Sequence, residues 1–181
     1  MSGDLLEKQP KFFKDLEDDG FEIASHSYDH IRLGDLNLQQ KRQQLNKSVQ
    51  AAKKANLNNF IGFRAPQHSL TKSDIKLLEE FGFKYDSSLT PLNAWQFFFF
   101  PKKLKHNLEH FFSKPYPNKI NNLKEIPLSS FGSPLVSLTV RVFPLAFTKL
   151  LFLMCKPIYK GNLVFYIHNW DFMELNNSRM Y

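Results

Sequence analysis

The repeated order of helix, turn and strand is the feature of this sequence that most restricts its fold. Helices are predicted to begin at Pro10, Asn37 and Thr71, because each is followed by apolar residues at helical spacing. Short apolar strands are predicted after them, at residues 21–25, 60–63 and 83–85. Strands that alternate with helices indicate a mainly parallel sheet covered by helices, either open or closed into a barrel.

Local signals set the ends of these helices. Asn37 and Gln40 fit a capping box, in which each side chain bonds the other residue's backbone N–H. Thr71 and Asp74 form a second helix-start signal of the same kind. Gly20 can end the first helix in the left-handed conformation, so the strand at residues 21–25 is expected to follow at once.

The composition is that of one globular domain covering residues 1–181. The chain is 43% hydrophobic and 15% aromatic, which is enough for a sizeable core. Cys155 is the single cysteine, so an internal disulfide and a cysteine-rich zinc module are excluded, and any metal must be held by histidine and carboxylate. The thiol itself is expected in the core. The net charge is +7, but the lysines are spread along the chain, so no nucleic-acid partner is expected.

Targeting and membrane signals are not found in the sequence. Residues 1–4 are not a basic segment followed by an apolar run, so no secretory signal is predicted and a cytoplasmic location is the default expectation, unless the gene starts upstream. The most apolar stretch, residues 135–154, is interrupted by Arg141, Pro144 and Lys149, and no run in it approaches the roughly 20 residues of a membrane span. It is predicted to be a core strand and a core helix. The oligomeric state is left open.

A long excursion over the surface is predicted between residues 87 and 123, where prolines and asparagines are frequent. The four consecutive phenylalanines at 97–100 are predicted to pack into the core, with the lining of a groove as the alternative. Further segments are expected to be extended at 124–128 and 134–142, helical at 145–155, and a buried apolar strand at 162–167.

Polar residues directly follow four of the predicted strands. They are His26, Arg64, Asp86 and His168. The carboxyl ends of parallel strands converge on one face of a barrel or doubly wound sheet, and that face holds the active site. The four side chains are therefore predicted to meet at one place.

The segment His26-Ser27-Tyr28-Asp29-His30 is the sharpest local motif. Two histidines four residues apart share a face if the strand turns straight into a helical turn, and neutral imidazoles are common ligands of zinc and similar metals. Two histidines of a polar surface loop are the alternative, which the other strand-end residues disfavour. A catalytic zinc takes three protein ligands. Asp29 would point elsewhere if both histidines bind, and Asp86 lies on another strand, so no convincing third ligand is found.

Arg64, His168 and Trp170 each have a functional and a structural interpretation. The guanidinium of Arg64, held ahead of the stiffening Pro66, can orient a catalytic carboxylate or form a surface salt bridge. The imidazole of His168 fits a general acid with a pKa near neutral or a hydrogen-bonded core histidine. Trp170 can stack on a sugar ring or pack in the core.

Four motifs, taken in order, resemble those of the NodB-type polysaccharide deacetylases, carbohydrate esterase family 4. They are His26-Ser27-Tyr28-Asp29-His30, Phe63-Arg64-Ala65-Pro66, Tyr85-Asp86-Ser87-Ser88 and Phe165-Tyr166-Ile167-His168-Asn169-Trp170. The residues 20–25 that lead into His26 are similar to the branch linked to bacterial exopolysaccharide and cell-wall glycans. The resemblance covers nearly all the chain and implies a distorted (β/α) barrel.

The resemblance implies a role for each motif residue. His26 and His30 match the two metal-binding histidines, and zinc is the expected divalent ion. Arg64 matches the arginine that orients the catalytic base. His168 matches the general acid, and Asp86 matches the acidic motif that tunes that histidine. The implied reaction is hydrolysis of N-acetyl groups on a sugar polymer, giving acetate and a free amine.

Substrate contacts and one departure complete the comparison with the family. Trp170 and Pro66 are assigned to contact with the acetylated glycan. The family begins with a strand carrying paired aspartates, the catalytic base and the third metal ligand, and this sequence has no such strand. It is therefore expected to be an incomplete α/β barrel that lacks the first one or two strands. General-base catalysis is worth about 10² to 10⁴ in rate, so weak or no activity is expected. Asn169 replaces a proline usual in this branch, which leaves the role of His168 unchanged.

Two other functions are kept open. One is that of the related metal-independent amidohydrolases that act on small cyclic amides such as allantoin, some of which share the Tyr-Asp-Ser-Ser signature. The other is a remnant without catalysis, either a glycan-binding fragment that uses Trp170 and the aromatic loop or the product of a decaying gene. Metal bound at His26 and His30 would argue against the first of these.

Overall fold

The computed structural model describes residues 1–168 and residue 171. The helices are α1 (Gly3–Lys8), α2 (Pro10–Asp18), α3 (Leu38–Lys54), α4 (Ile75–Glu80), α5 (Trp95–Phe99), α6 (Leu104–Phe111), α7 (Ser137–Val142) and α8 (Leu145–Ile158). The strands are β1 (Gly62–Phe63), β2 (Tyr85–Asp86), β3 (Asn118–Ile120), β4 (Leu123–Glu125), β5 (Ser130–Phe131) and β6 (Ser133–Pro134). Short 3-10 turns cover Leu33–Asp35, Pro66–His68, Lys72–Asp74 and Pro101–Lys103.

A four-stranded open sheet carries the candidate site. Its strand order is β1-β2-β4-β3, with the first three strands parallel and β3 antiparallel to β4. Ser25 extends the parallel side by one bridge to Phe63. Gly62 is required in β1, because a Cβ there would lie 2.2 Å from the ring of Tyr85 on the next strand. The mixed, open α/β architecture agrees with the predicted fold class.

Helix starts and ends follow the local signals. The Asn37 and Gln40 side chains each bond the other's backbone N–H at 2.9 Å, which is the predicted capping box at the start of α3. Thr71 and Asp74 make the same exchange ahead of α4. Gly20 has a φ of +92° after α2, so the left-handed stop is also confirmed.

Three apolar clusters hold the chain together. The largest packs helices α3 and α4 on the sheet and includes Leu45, Phe63 and Leu78. A second joins α1 and α2 to α3. The third places Cys155 beside Leu135 and Leu151, so the predicted buried thiol is confirmed. No helix in the described part of the chain is both long and apolar enough to span a bilayer.

The predicted surface excursion between residues 87 and 123 contains regular structure. It forms α5, α6 and the antiparallel pair β3 and β4. The two helices are tied by the Asn107 amide, which donates to the carbonyl oxygens of Gln96 and Phe100. These tertiary bonds have no periodic signature, which explains why the helices were not predicted.

Three further expectations are wrong in part. Residues 137–142 form helix α7 rather than a strand, because the chain leaves the sheet after the Val136–Tyr166 bridge. Phe98 and Phe99 are 82% and 66% exposed, so the phenylalanine run is not packed in the core. Within residues 162–167 only Tyr166 forms a bridge, and the predicted buried strand has Phe165 and Ile167 exposed.

Candidate active site

The His26–His30 loop is built on the N-terminal segment. The His26 N–H donates to the Met1 carbonyl at 2.7 Å, and the Gly3 N–H donates to the Ser27 carbonyl at 2.9 Å. Ser27 and His30 have φ values of 65° and 58°, in the left-handed region that is uncommon for residues other than glycine. These contacts give the loop one defined path.

Gln44 of α3 holds the same loop from the other side. Its Oε1 accepts from the Ser27 hydroxyl and from the backbone N–H groups of Tyr28 and Asp29, at 3.0 to 3.3 Å. Its amide nitrogen donates to the Asp29 carboxylate at 2.8 Å. Sequence reasoning missed this residue, although a buried glutamine beside the apolar stripe of α3 is a signal that could have found it.

The His26 and His30 rings lie together, with centroids 4.8 Å apart. Nδ1 of His26 is 2.6 Å from the Arg64 carbonyl oxygen. A carbonyl only accepts, so Nδ1 carries the proton and the lone pair of the ring is on Nε2. Burial lowers the pKa of His26 to about 4, so the ring is neutral near pH 7. A histidine that a backbone carbonyl orients in this way can bind a metal ion through Nε2.

The metal-ligand set is incomplete in the part of the chain that the structure describes. Among residues 1–168 and 171, no group of three or more histidine, cysteine, aspartate or glutamate side chains is placed to share one ion. The Asp29 carboxylate is bonded to Gln44. The two imidazoles fit the nitrogen donors of a zinc-like site, of which they would be two of the usual three protein ligands.

Arg64 lies across the neighbouring strand end. Its Nε donates to the Ser87 carbonyl at 2.9 Å and its Nη2 to the Ser87 hydroxyl at 2.5 Å. The guanidinium carbon is 5.2 Å from the centre of the Tyr166 ring. Within the described residues no carboxylate lies within 4.0 Å of Arg64, so this side chain is not in a surface salt bridge. Its orientation depends on Ser87 and Tyr166.

Asp86 is fully buried behind Arg64. It accepts from the Ser88 backbone N–H at 3.1 Å and from the Ser88 hydroxyl at 2.6 Å. Its register partner on β4 is Glu125, which is also fully buried and whose carboxyl group accepts from the Leu89 N–H at 3.1 Å. Burial raises the pKa of both acids, and that of Glu125 is raised further by the charge of Asp86. A proton shared by this pair explains how two carboxyl groups are accommodated in the core.

His168 faces a different acid from the one the sequence indicated. Its backbone N–H donates to the Asp171 carboxylate at 2.8 Å, and its Nδ1 is 3.8 Å from the same oxygen. Burial lowers the pKa of His168, Asp171 opposes this, and the charge of nearby His30 adds to the lowering. The ring also meets Tyr166 edge-on, with centroids 4.6 Å apart. Asp171 was missed because it lies beyond the last predicted strand.

A cavity of about 530 Å³ lies at the strand ends that carry His26 and Arg64. His26, Arg64, Ser87 and Tyr166 line it, together with Glu22, Tyr85 and several apolar residues. His30 and His168 do not line the cavity, but the His30 ring contacts His26 and the His168 ring contacts Tyr166. Asp86 does not line it either and is buried beside Glu125. Pro66 is buried in its turn. Trp170 lies outside the described residues.

Comparisons with known proteins agree with this architecture. Residues 1–85 match the family model described as polysaccharide deacetylase. The peptidoglycan deacetylase-like protein FGM2 of Gibberella zeae is 37% identical over 92 residues, which are 51% of this chain and 27% of that protein. The chain therefore spans about a quarter of the length of this curated relative.

Solved structures show the same fold at low identity. A Mycobacterium smegmatis protein assigned as a polysaccharide deacetylase aligns with a TM-score of 0.62 at 21% identity, covering 92% of this chain and 56% of that one. Puue allantoinase aligns with a TM-score of 0.55 at 15% identity, covering 92% and 51%. The open sheet of this chain therefore has the α/β fold of these two structures. The part of the chain that holds His26, His30 and Arg64 is similar to polysaccharide deacetylases, as its motifs predicted.

Proposed function

We propose that this chain carries part of a metal-dependent site that removes N-acetyl groups from a sugar polymer. His26 and His30 would hold a divalent ion, with zinc the expected one. The bound ion would polarise the acetamide carbonyl and lower the pKa of a water molecule. The match of residues 1–85 to the polysaccharide deacetylase model supports deacetylation of a glycan, and the name of the Gibberella relative is consistent with a substrate of the cell-wall type.

One observation carries the proposal. Nδ1 of His26 donates to the Arg64 carbonyl, which leaves the unprotonated Nε2 with a lone pair for a metal ion; the ring lies beside His30 and lines the 530 Å³ cavity. A neutral imidazole whose second nitrogen has no hydrogen-bond partner among the described residues can bind a metal through that nitrogen. The unprotonated Nε2 of His26 beside the exposed His30 therefore supports the metal-dependent branch over the metal-independent amidohydrolases.

The other side chains have positioning and proton-transfer roles in this proposal. Arg64, held by Ser87 and Tyr166, presents its positive charge to the cavity and would orient a carboxylate or an acetyl oxygen. His168, beside Asp171, would donate a proton to the leaving amine. Asp86 would act through the buried loop that carries Ser87 rather than by touching substrate. Pro66 would shape the loop around the glycan, and Trp170 would contact a sugar ring.

Two groups that hydrolysis needs, a general base and a third metal ligand, are not assigned among the described residues. None of the 181 residues stands in a paired-aspartate strand motif, so neither a general base nor a third ligand is assigned. We therefore propose that this chain by itself releases acetate slowly.

The test is metal binding to the whole chain. We expect about one zinc or cobalt ion per chain by titration and elemental analysis, with affinity lowered about 100-fold or more in His26→Ala and in His30→Ala, because each removes one of two ligands. His106→Ala is the matched control, since His106 and His110 have the same spacing in α6.

Three outcomes of this test decide between the functions. Loss of binding in both site variants, but not in His106→Ala, would support the proposal. No metal in the unaltered chain, with amide hydrolysis still detected, would move it to the metal-independent branch. Neither metal nor hydrolysis would indicate a non-catalytic remnant.

A further inference from the structure

The surface formed by α5, α7 and α8 is more apolar than a surface that faces water needs to be. Helix α8, predicted to be a core helix, buries only one stripe, which includes Thr148, Leu151 and Cys155. Its other side, the end of α7 and helix α5 carry apolar side chains that are more than half exposed. They are Phe98, Phe99, Val142, Leu145, Leu150 and Leu153, here called the apolar ridge.

Ring contacts join these helices into one continuous surface. The centre of the Phe99 ring lies 6.0 Å from that of Trp95, which lies 5.7 Å from that of Phe143. The Phe143 ring is in turn 4.6 Å from the Phe147 ring of α8. A groove of about 410 Å³ on α8 continues the surface and is lined by Leu145, Thr148, Lys149, Phe152 and Leu153. A continuous apolar patch of this kind marks an interaction site, whereas single exposed residues do not.

Although basic residues occur throughout the chain, the net positive charge is concentrated around this ridge. Residues 93–108 and 126–170, which carry the ridge, contain seven lysines and arginines and no aspartate or glutamate. The rest of the chain has 17 basic and 17 acidic residues, so the whole net charge of +7 comes from these two segments. All seven basic residues are exposed.

Most of these seven charges have no acidic partner. Lys103 pairs with Asp35, and Arg141 pairs with Asp171 at 3.3 Å. Within the described residues, no carboxylate oxygen lies within 4.0 Å of the other five, which are Lys102, Lys105, Lys149, Lys156 and Lys160. Exposed cations without counter-charges attract a partner that carries negative charge. The surface therefore combines apolar contact with positive charge.

A bilayer that contains anionic lipid complements both properties. Exposed phenylalanine and leucine side chains enter the boundary between headgroups and acyl chains, while lysines attract the anionic headgroups. A second copy of this chain does not fit, because a symmetric contact would bring two sets of uncompensated positive charge together. A nucleic acid could stack on Phe98 and Phe99 but would leave the aliphatic side chains of α8 in water.

We propose that the apolar ridge docks this protein on the surface of a membrane that contains anionic phospholipid. The ridge lies in the headgroup region and does not span the bilayer. In this position Phe98 and Phe99 of the phenylalanine run enter the lipid. The inference does not rest on the proposed deacetylase function, because no residue of the ridge lines the 530 Å³ cavity.

Vesicle flotation with the whole chain tests the proposal. The probe is a vesicle of phosphatidylcholine with about 30% phosphatidylserine, since the latter supplies the negative surface potential. We expect binding to be about tenfold or more tighter than to vesicles of phosphatidylcholine alone. It should weaken at about 0.5 M salt, because salt screens the attraction between the lysines and the headgroups.

An apolar variant tests the contact with lipid. Phe98→Ser should weaken binding about tenfold, because it removes a large apolar side chain from the interface. Phe12→Ser is the matched control, since Phe12 is also an exposed phenylalanine of a helix but lies on α2, outside the ridge. This control should stay within about twofold of the unaltered chain. Both side chains are exposed, so neither variant should affect folding.

A charge variant tests whether the position of the charge matters. Lys149→Glu and Lys76→Glu change the net charge equally, and both lysines are exposed on helices. Only Lys149 lies beside the ridge, where it lines the groove on α8. We expect binding to fall about tenfold in Lys149→Glu and by less than about twofold in Lys76→Glu.

The results distinguish the occupants of the ridge. No flotation with the anionic vesicles would overturn the proposal, and so would equal losses in Lys149→Glu and Lys76→Glu, which would mean that net charge alone attracts the protein. A dimer in sedimentation experiments that Phe98→Ser dissociates would assign the ridge to a second copy instead. Binding of a single-stranded oligonucleotide in place of vesicles would assign it to nucleic acid. The metal titration of His26 and His30 is a separate measurement, so failure of the proposed function would leave the flotation result unchanged.

Discussion

The pairs His26/His30 and His106/His110 have the same spacing but opposite surroundings. Their ring centroids are 4.8 and 4.1 Å apart. In the second pair His110 is fully buried and uses both ring nitrogens, with Nε2 2.7 Å from the Leu70 carbonyl and Nδ1 3.1 Å from the Thr90 hydroxyl. In the first pair His26 uses Nδ1 alone, and His30 is exposed. A histidine can bind a metal ion only if its second ring nitrogen is not already hydrogen-bonded, and the four-residue spacing does not determine this.

The largest expected effect of this difference is on stability in acid. Burial lowers the pKa of His110 to about 4 from 6.5, and the charge of Lys72 adds to the lowering. The unfolded chain therefore takes up a proton first as the pH falls. The stability that His110 contributes is fully present above pH 6.5 and is lost as the pH falls to about 4, by about 3 kcal/mol.

Urea unfolding of the unaltered chain and of His110→Asn, in steps from pH 7.5 to 4, measures this loss. The unaltered chain should be the more stable of the two at pH 7.5, and the difference should shrink and then reverse toward pH 4. A difference that stays constant over that range would contradict the interpretation of His110 as a buried neutral histidine.

A smaller effect is expected from the same substitution in both pairs at pH 7.5. In His110→Asn the asparagine side chain is too short to reach both the Thr90 hydroxyl and the Leu70 carbonyl. The buried Leu70 carbonyl that is left unpaired should lower the free energy of unfolding by about 2 kcal/mol. His30→Asn should change it by less than about 0.5 kcal/mol, because the side chain is exposed and asparagine tolerates a φ of 58°. Equal losses in the two variants would mean that the pairs are not structurally different.

The sequence predicted the parts of this molecule that depend on local chemistry. The capping boxes at Asn37 and Thr71 and the glycine stop at Gly20 were found, because each involves groups a few residues apart. The strand-end positions of His26 and Arg64 followed from the alternation of helices and strands. Both residues line the 530 Å³ cavity.

What the sequence could not predict depends on distant partners. Glu125 lies beside Asp86 only because β4 pairs with β2, which places β4 next to a strand 39 residues away. The helices α5 and α6 are held by amide bonds of Asn107, which leave no pattern of apolar residues. Residues 137–142 alternate like a strand, yet they form a helix because the chain has left the sheet. In each case tertiary contacts override the local pattern.

The smallest expected effect concerns the support of the first pair. Gln44 accepts three hydrogen bonds from the loop between His26 and His30, whereas the neighbouring Gln43 is exposed on the same helix. Gln44→Leu removes this support without touching either histidine. We expect zinc or cobalt affinity to fall about tenfold, since partners that orient ligands are worth 10–100-fold. Gln43→Leu should leave it unchanged.

Urea unfolding of both leucine variants should accompany this metal titration. If Gln44→Leu weakens metal binding while the protein remains folded, the left-handed loop is shown to be held for the ligands. Unchanged affinity in Gln44→Leu would mean that the contacts of His26 with Met1 and Arg64 are sufficient to place the ring. In that case the orientation of the His26 ring would depend on these backbone contacts and not on Gln44.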